Sequence, residues 1–527
     1  MTKTSSFWAL ALFALLAACG SDDITNTDDN GGGSSSGSDN PYSEVNFDRT
    51  VTVTFGSGTA TVSGIGSGQT ATIDGNGVTI VNTSDEKVEY VLGGNTDNGY
   101  LKIYSVKKQA IVLNGVSITN PNGAAVNIQG SQASPNSGKC AYIVLCGDNT
   151  LADGSSYTNT PDNEDEKAVL FSEGQLIFST GSTSNGTLTV TACGKSGIVS
   201  DDYVQFDAGT VNVNMTSACK VSNGDTLKPA CIKGKDAFYM NGGTLNLSST
   251  GTGAKGISGD SIAVFNGGTV NITVTGTNFG STSGGGGGGW PGGGNSSNNS
   301  VAAKGIKFDG DITFCGSTVS VSASKHEGIE AKGAMNFSSG HVYSYSAADD
   351  AINSGGDMTV SGGYVCGHSA GNDGLDANGN CYIKVGVVYA IGSSSPEVGI
   401  DANTEENKKL YVSGGTLVVI GGLERGSSLT QTCYSTSSWS RNTWYALTVG
   451  SDVYAFKTPS SGGSSLVVSG ASTPTLKSGV TVDGGTAYFN STFYTGATVS
   501  GGSNVGLTTY SGGSGGGGGW GGGGGRH

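Results

Sequence analysis

A repeat of 23 residues constrains the fold of this chain more than any other feature of its sequence. Apolar residues recur at that spacing in four separate positions of the repeat, so that four columns share one register. The columns are Ile306, Ile329, Ile352 and Leu375; Ile312, Met335, Met358 and Cys381; Phe314, Phe337, Val360 and Ile383; and Val319, Val342, Val365 and Val388. A period of about 20 to 50 residues indicates a repeat architecture, in which neighbouring units bury a shared core.

The repeat continues beyond these four units. Ile232 and Ile257 extend the isoleucine column towards the N-terminus, and Ile400 extends it towards the C-terminus. The step from Ile257 to Ile306 is 49 residues long and contains "GSTSGGGGGGWPGGGNSSNNS". We expect residues 280–300 to form a disordered glycine-rich insert, and subtracting roughly 25 residues from this step restores one repeat.

Each repeat contains three short runs of β-branched residues separated by turn residues, as in "DMTVSGGYVCGHS". Three strands in about 23 residues fit one coil of a parallel β-helix, in which coils stack through backbone hydrogen bonds. No convincing amphipathic helix accompanies them. The sequence therefore predicts an all-β parallel β-helix of three-strand coils over residues 48–426.

The two ends of the chain have different compositions. Lys3 and the apolar run "FWALALFALLAAC" are typical of a signal peptide over residues 1–19. The run ends in "LAAC", which is similar to a bacterial lipobox and predicts that Cys19 carries lipid; an ordinary secretory peptide or a short membrane helix is the alternative. Residues 20–47 are predicted to be a flexible tether, and "GSDD" after Cys19 favours the cell surface. The predicted location is therefore the outer membrane or cell surface, with membrane contact through the lipid.

Composition excludes some classes of function. The formal net charge is −15 and charged residues make up 13% of the chain, so nucleic acid is not a predicted partner, because phosphate binding needs clustered Lys and Arg. Nine cysteines follow Cys19 without a Cys-x-x-Cys pair, which argues against zinc. These cysteines fit a β interior, and one or two disulfides are the alternative.

The C-terminal residues are predicted to close the coil stack. Residues 427–510 are interpreted as a C-terminal β cap, because solenoids need covered ends. Trp439, Trp444 and Tyr445 lie in this region and could instead form a second sugar-binding platform. Residues 511–527 are a glycine-rich tail that we expect to be disordered.

Charged residues flank the isoleucine column and form a ladder along one edge. Coils stack about 4.8 Å apart, and two carboxylates at that distance repel by about 3.5 kcal/mol at an effective dielectric constant of about 20. Lys304 and Lys307 can neutralise Glu327 and Glu330. Further along the ladder we hypothesise that Ca²⁺ does so, because it accepts carboxylate and amide oxygens; a solvated acidic edge with Asx turns is the alternative. The predicted ligands are Glu330, Asp350, Asn353, Asp373, Asp376 and Asp401.

A second set of residues is aromatic and flanks the valine column. Strand alternation directs these side chains away from the core. A flat outer face of tyrosines suits sugar rings, which present apolar C–H faces to aromatic rings; the alternative is that these residues only favour strands or pack beneath a loop. The predicted carbohydrate-binding residues are Tyr343, Tyr345, Tyr364 and Tyr389.

The chain resembles the bacterial carbohydrate-binding β-helix proteins that bind cellulose or acidic sugars. The resemblance runs from about Tyr90 to Val419 and rests on "AIVLNGVSITNPNGAAVNI", "DDAIN", "DGLDANG" and the recurrent "NGGT" turns. It implies the right-handed β-helix of pectate lyases, bound calcium, and glycan binding without catalysis.

Three functions follow from these observations. The first is a monomeric, surface-anchored lipoprotein that binds pectin-like or cellulose-like polysaccharide with the help of Ca²⁺. The second is a calcium-dependent polysaccharide lyase, whose base would be one of the lysines Lys304, Lys307, Lys325 and Lys332. The third is a structural adhesin without a defined glycan site.

Overall fold

The structure is a computed structural model that describes residues 41–512, except 135, 159, 162–163, 182–184, 223–224, 281–299 and 438. The predicted signal peptide with Cys19, most of the tether, most of the glycine-rich insert and most of the tail lie outside the described residues. The chain divides into two units, Met1–Asn46 and Phe47–His527. The first contains a 3₁₀ turn at Tyr42–Glu44. Within the described residues no helix has the length and apolar character needed to cross a membrane.

Strands dominate the second unit, as the runs of β-branched residues predict. The strands before the glycine-rich insert are β1 Arg49–Phe55, β2 Thr61–Ser63, β3 Gln69–Asp74, β4 Asn76–Asn82, β5 Val88–Thr96, β6 Gly99–Ser105, β7 Gln109–Asn114, β8 Ser117–Asn120, β9 Val126–Gln129, β10 Ala141–Cys146, β11 Asp148–Asp153, β12 Ala168–Ser172, β13 Leu176–Thr180, β14 Thr187–Ala192, β15 Ser196–Ser200, β16 Tyr203–Phe206, β17 Thr210–Met215, β18 Lys220–Ser222, β19 Asp225–Leu227, β20 Ala230–Gly234, β21 Ala237–Met240, β22 Thr244–Ser249, β23 Lys255–Gly259, β24 Ile262–Phe265 and β25 Thr269–Val274.

The strands after the insert include four long ones. They are β26 Ile306–Phe308, β27 Ile312–Ala323, β28 Ile329–Ala331, β29 Met335–Ser346, β30 Ile352–Ser354, β31 Met358–Ser369, β32 Leu375–Ala377, β33 Cys381–Ile391, β34 Leu410–Val412, β35 Thr416–Ile420, β36 Ser428–Leu429, β37 Cys433–Thr436, β38 Trp444–Val449, β39 Asp452–Lys457, β40 Leu466–Ser469, β41 Thr475–Asp483, β42 Thr486–Tyr488, β43 Phe493–Thr495, β44 Thr498–Val505 and β45 Thr508–Thr509. A second 3₁₀ turn spans Thr404–Glu406.

Most of these strands form long parallel ladders. One twelve-stranded sheet runs in the order β3-β4-β6-β9-β12-β15-β20-β23-β26-β28-β30-β32 and is parallel from β4 onwards. A larger sheet contains a ladder through β7, β10, β13, β16, β21 and β24, and another through β8, β11, β14, β17, β22 and β25. Each of the long strands β27, β29, β31 and β33 continues both of these ladders, because its first part pairs in one ladder and its second part in the other. The register shifts inside the β27–β29 and β31–β33 pairs. The fold is all-β and β-helix-like.

The four apolar columns of the sequence coincide with the registers of these ladders. Ile306 pairs with Ile329, which pairs with Ile352, which pairs with Leu375, and the other three columns pair in the same way. All sixteen side chains are buried in one continuous apolar core. The predicted step across the insert is confirmed as well, because Ile257 pairs directly with Ile306.

Tight turns between the ladders depend on glycine at defined positions. Gly363 has a φ of +74°, a backbone conformation that side chains with a Cβ atom rarely adopt. A Cβ atom at this position would also lie 2.7 Å from the carbonyl oxygen of Gly340 in the preceding repeat. The recurrent glycine pairs are therefore a turn requirement of coils that stack closely.

The C-terminal residues do more than cover the end of the stack. Strand β40 runs antiparallel to β35, the last parallel strand of its ladder. A separate six-stranded sheet, in the order β42-β43-β39-β38-β41-β44, packs against the outer face of the long strands. Its side chains Tyr445, Phe456 and Phe493 form one apolar cluster with Tyr389 and Val418. We call this sheet the cover sheet.

All nine cysteines of the described residues are free thiols. Six of them are buried, and Cys381 occupies a core position of the repeat that Met358 fills one coil earlier. The interpretation of the cysteines as small apolar residues of a β interior therefore agrees with the structure for Cys381. Cys193 is exposed and does not follow this interpretation.

Candidate functional site

A ladder of charged residues runs beside the isoleucine column along the twelve-stranded sheet. Its members stand either two positions before or one position after the buried isoleucine or leucine of their coil. The backbone register fixes their order, because Glu330 pairs with Asn353 and Asn353 pairs with Asp376. We call this set the charged ladder; its members are Lys255, Lys304, Lys307, Glu327, Glu330, Asp350, Asn353, Asp373, Asp376 and Asp401.

In the first half of the charged ladder, on the coils of Ile306 and Ile329, lysines neutralise the carboxylates. The Lys304 ammonium contacts the carboxylates of both Glu327, at 3.0 Å, and Glu330. Lys332 contacts the other oxygen of Glu330 at 2.5 Å. Burial alone would raise the pKa of Glu330, but Lys304 and Lys332 outweigh burial and lower it. Glu330 is 2% exposed and held by two ammonium groups, which leaves it little capacity to bind a metal ion.

One predicted partner in this half was wrong. Lys307 was expected to neutralise a carboxylate of the next coil, but its ammonium contacts Asp309, two residues away on the same coil. Lys332 takes the predicted place beside Glu330. The reason is reach, because Lys332 follows β28 closely enough to fold back onto Glu330, whereas Asp309 is nearer to Lys307.

His326 links the first half to the next coil. Its Nδ1 atom lies against the Glu327 carboxylate and 2.9 Å from Asp349 Oδ2. Burial would raise the pKa of Asp349, but hydrogen bonds from His326 and Asn372 and the charge of His326 lower it. This trio is one of two places in the described residues where three His, Cys, Asp or Glu ligand atoms lie within 4.8 Å of one another. The other trio is Asp165, Glu173 and Asp201, and neither trio includes a predicted calcium ligand.

The second half of the charged ladder, on the coils of Ile352, Leu375 and Ile400, contains carboxylates but no lysine. Asn353 Nδ2 donates hydrogen bonds to Asp350 Oδ2 at 3.1 Å and to Asp376 Oδ2 at 2.8 Å, and so joins two coils. Burial, followed by the charge of Asp349, raises the pKa of Asp350 to about 6. Burial, followed by the charges of Asp350 and Asp373, raises the pKa of Asp376 to about 8. In the part of the chain that the structure describes, no ion pair joins Asp350 or Asp376 to a lysine or arginine.

Asp373 takes part mainly through backbone contacts. Its N–H donates to Asp350 Oδ1 at 3.0 Å, and its own Oδ1 accepts the N–H of Val398 at 2.5 Å. Each of these bonds joins one coil to the next. Asp373 therefore fixes the spacing of the ladder and also adds negative charge beside Asp376 and Asp401.

Asp401 has a partner that the sequence interpretation missed. Burial, followed by a hydrogen bond with Glu424 and the charges of Asp373 and Asp376, raises the pKa of Asp401 to about 9. Glu424 follows Leu423, which bridges Ile400 in parallel register. Leu423 stands one further repeat of 23 residues beyond Ile400, so the spacing could have identified Glu424 as the next member of the charged ladder.

The opposite end of the charged ladder carries an isolated lysine. Lys255 precedes Ile257 by two positions, and the coil of Ile257 pairs with the coil of Ile306. Its side chain is 9% exposed. Burial, followed by the repulsion of Lys304 and Lys307, lowers the pKa of Lys255 to about 8, although Cys219 opposes the shift. The described residues supply no carboxylate in contact with this ammonium.

The predicted tyrosine platform faces away from the coil core, but the cover sheet lies on it. Tyr389 is 1% exposed, and its hydroxyl donates to the carbonyl oxygen of Lys457 at 2.7 Å. The ring of Tyr364 stacks on Tyr488, with centroids 4.2 Å apart. The expectation of an exposed Tyr389 is therefore wrong, because strand alternation shows which way a side chain points but not what packs against it.

Tyr343 and Tyr345 are half-buried. The ring of Tyr343 faces Phe489 at a centroid distance of 6.4 Å, whereas Tyr345 meets His368 edge to face at 5.0 Å. Tyr343, Tyr345 and Tyr364 all keep partial exposure, so a role in sugar binding stays a prediction for these three. Tyr445 is buried in the cover sheet and Trp439 donates to the carbonyl oxygen of Gly463, which assigns both of them packing roles.

Comparison with known proteins gives one family and one solved structure. The family described as carbohydrate-binding domain-containing proteins matches residues 74–374, which is more than half of the chain. The solved structure is a polysaccharide lyase-like protein from C. thermocellum, in its gadolinium derivative. That structure is 18% identical, and the alignment covers 55% of this chain and 96% of that chain with a TM-score of 0.40. Comparison with curated proteins gives no match.

Proposed function

The chain belongs to the family of carbohydrate-binding domain-containing proteins. On that premise we propose that it is anchored at the cell surface and binds polysaccharide there with the help of Ca²⁺. The observation that carries the calcium part of this proposal is the second half of the charged ladder. There Asn353 joins the carboxylates of Asp350 and Asp376, and Asp401 shares a hydrogen bond with Glu424. All three aspartates have raised pKa values and no lysine or arginine ion pair among the described residues. A buried group of this kind needs either protons or a cation.

The donor set suits calcium better than other metals. Ca²⁺ binds six to eight oxygen atoms from carboxylates and amides at roughly 2.3–2.6 Å, and it tolerates irregular geometry. Asp350, Asn353 and Asp376 supply such oxygens from two adjacent coils, and Asp401 with Glu424 supplies more from the next coils. Rotation of the Asn353 amide would turn its oxygen towards the carboxylates that its nitrogen now contacts. Glu330 is left out of the proposed ligand set because two lysines hold it.

Calcium would also account for an acidic protein that binds acidic sugars. The chain has a formal net charge of −15, so it repels a polyuronate at long range. A bound Ca²⁺ that keeps open coordination positions can accept a sugar carboxylate in addition to the protein ligands. The proposed glycan is therefore pectin-like.

We infer that the three ladders wind as a right-handed parallel β-helix, which is what the resemblance in sequence implies. We also propose that the chain is a monomer attached to the outer membrane by lipid on Cys19, with residues 20–47 as its tether. A coil stack held in this way would present its long sheets to a polymer outside the cell.

We propose binding without catalysis. Three of the four candidate bases of a lyase, Lys304, Lys307 and Lys332, are poorly placed for proton abstraction, because acidic side chains hold them in ion pairs. The fourth, Lys325, is exposed and stays a candidate. A base needs a free lone pair directed at the substrate. The lyase remains an outcome of the experiment below.

The test is native electrophoresis of the full chain through gels that contain polygalacturonate, with Ca²⁺ or with chelator. We expect retardation only with Ca²⁺, and we expect Asp376→Asn to abolish it. Asp483→Asn is the matched control, because Asp483 is an exposed carboxylate on the cover sheet that also contributes one negative charge.

Each outcome is decisive. Equal migration with Ca²⁺ and with chelator would contradict the calcium-bridged function. Equal loss of retardation in Asp376→Asn and Asp483→Asn would show that overall charge matters and the charged ladder does not. A cleared track in the gel behind the protein would replace binding by a lyase.

A further inference from the structure

A polar groove lies at the other end of the fold, on the first coils. It has a volume of about 610 Å³, within the usual range for ligand sites. Strands β4, β6 and β9 of the twelve-stranded sheet form its floor, and the turns that precede these strands form its walls. In the order of the sheet, its floor strands lie seven to ten positions from β30 and β32, which carry Asn353 and Asp376 of the charged ladder.

The walls of the groove are held rigidly by side chains that bond to the backbone. Asn76 accepts the N–H of Gly56 at 3.1 Å and donates to its carbonyl oxygen at 2.8 Å. Asn120 donates to the carbonyl oxygen of Ala124 at 2.7 Å and accepts the N–H of Asn122 at 3.0 Å. Such turns keep their shape without a ligand, which lowers the entropy cost of binding.

The floor is a closed network of polar side chains. Lys102 contacts Glu164 at 2.7 Å and Glu166 at 3.6 Å. Asn127 and Thr160 donate to the two oxygens of Glu166 at 2.9 and 3.0 Å. The single ammonium of the groove is thus already neutralised by two carboxylates.

The rim, in contrast, carries polar groups that face solvent. Asp74, Asp97 and Asn98 are exposed, and no hydrogen bond within the described residues engages their side-chain oxygen or nitrogen atoms. Hydroxyl groups of sugars bind side chains of this kind, because an ionised carboxylate accepts hydrogen bonds and an amide both accepts and donates them.

An aromatic ring lies beside these groups. Tyr100 projects from β6 on the side opposite the core residues Leu101 and Ile103, and it is half-buried. A Cβ atom on Gly77 would approach the Tyr100 ring to 2.7 Å, so only glycine lets the ring lie against the neighbouring strand. The ring is therefore held in place and can stack on the apolar face of a sugar.

The charge of the groove separates it from the charged ladder. Its lining contains Asp74, Asp97 and Glu166 but only one lysine, and Glu166 and Glu164 neutralise that lysine. An anionic sugar chain would meet uncompensated carboxylates at the rim and be repelled. A neutral sugar chain would not.

We propose that this groove binds a short stretch of a neutral polysaccharide without a metal ion, with Tyr100 as the stacking residue and Asp97 and Asn98 as hydroxyl partners. The second site extends the proposed polysaccharide-binding function to another place in the fold. The choice of a sugar as its ligand rests on that proposed function. The protein would then hold two chemically different sugar chains through two separate sites.

The test is calorimetric titration of the full chain, in chelator, with neutral hexasaccharides of β-1,4-linked glucose, xylose and mannose. We expect at least one of them to bind, and we expect Tyr100→Ala to weaken that binding by about tenfold. Tyr494→Ala is the matched control, because Tyr494 is a half-buried tyrosine of the cover sheet. Asp97→Ala, at an exposed turn, is the second variant in case Tyr100→Ala fails to fold.

Failure of this inference can be told apart from failure of the calcium-dependent function. If none of the three neutral sugars binds, or if Tyr100→Ala and Asp97→Ala bind as the wild type does, the groove is not the site. Binding that needs Ca²⁺ would also overturn the inference. Calcium-dependent retardation by polygalacturonate should persist in Tyr100→Ala and disappear in Asp376→Asn whichever result the neutral sugars give.

Discussion

The two halves of the charged ladder share one backbone register but differ in electrostatics. In the first half Glu327 and Glu330 meet Lys304, and the pKa of Glu330 is lowered. In the second half Asp376 and Asp401 meet other carboxyl groups, and their pKa values rise to about 8 and 9. The positions are equivalent, and Asp376 lies only two coils beyond Glu330.

This difference shows that the coil stack determines where charges meet but not whether they are balanced. Parallel stacking places equivalent side chains about 4.8 Å apart in every coil. Whether a charged side chain at such a position is favourable then depends on the charge of the equivalent residue in the neighbouring coil. A pair of opposite charges stabilises the stack locally, while a pair of like charges leaves a requirement for a cation.

The largest effect is expected from breaking the compensated half. Lys304→Met leaves Glu327 and Glu330 buried next to Asp350 without their shared ammonium. We expect the free energy of unfolding to fall by about 3 kcal/mol, the lower end of the usual cost of breaking a buried ion pair, because Lys332 still contacts Glu330 and His326 still contacts Glu327. Denaturant titration measures the change, and Lys477→Met on the exposed face of β41 serves as control. A loss no greater than that of the control would mean that the ion pairs do not matter for stability.

The next largest effect is expected from adding Ca²⁺, which we propose binds in the second half of the charged ladder. Ca²⁺ at a hundredfold excess over its dissociation constant should raise the free energy of unfolding by about 2.7 kcal/mol. Asp376→Asn should be more stable than the wild type in chelator, since one source of repulsion is removed, and should respond much less to Ca²⁺. Thermal unfolding with Ca²⁺ or Mg²⁺ measures both properties. An equal response to Ca²⁺ in wild type and variant would remove Asp376 from the proposed ligands.

A smaller effect is expected at the lysine end. Lys255→Met removes a buried ammonium that has no carboxylate partner among the described residues. It should raise the free energy of unfolding at pH 7 by about 2 kcal/mol, which is part of the roughly 3.4 kcal/mol that a pKa shift from 10.5 to about 8 represents. Below pH 8 both folded and unfolded wild type carry this proton, so the whole penalty is present. Between pH 8 and about 10.5 the unfolded state binds more protons, and wild-type stability rises towards that of the variant.

Denaturant titration of both proteins at pH 7 and pH 10 tests this prediction. A stability difference that stays constant or grows with pH would contradict it. A wild type that is more stable than the variant at pH 7 would show that an anion or a carboxylate compensates Lys255.

The core of the fold could be predicted from sequence because its signal is repeated many times. Ile306, Ile329 and Ile352 each carry little information alone, but four columns in one register leave few alternatives, and the pairing of these residues agrees with them. The charged ladder could be predicted for the same reason. Glu424 was missed only because the column was not extended from Ile400 to Leu423.

Other parts of the site could not be predicted. The cover sheet buries Tyr389 through strands that begin more than fifty residues later, at Trp444. No repeat relates those strands to the coils, and so no spacing points to the contact. The groove at Tyr100 was also missed, since its turns and the Glu164–Glu166 segment come together only after folding.

The sequence by itself determined the all-β class, the repeat, the register of the core columns and the direction in which each side chain of a coil points. These follow from local rules, namely alternation along a strand and hydrogen bonding between equivalent residues of successive coils. Only the tertiary structure decided which charges are compensated and which tyrosines remain exposed. Both depend on segments distant in the chain, Lys332 folding back on Glu330 and the cover sheet packing on the coils, and their positions result from the packing of the whole molecule.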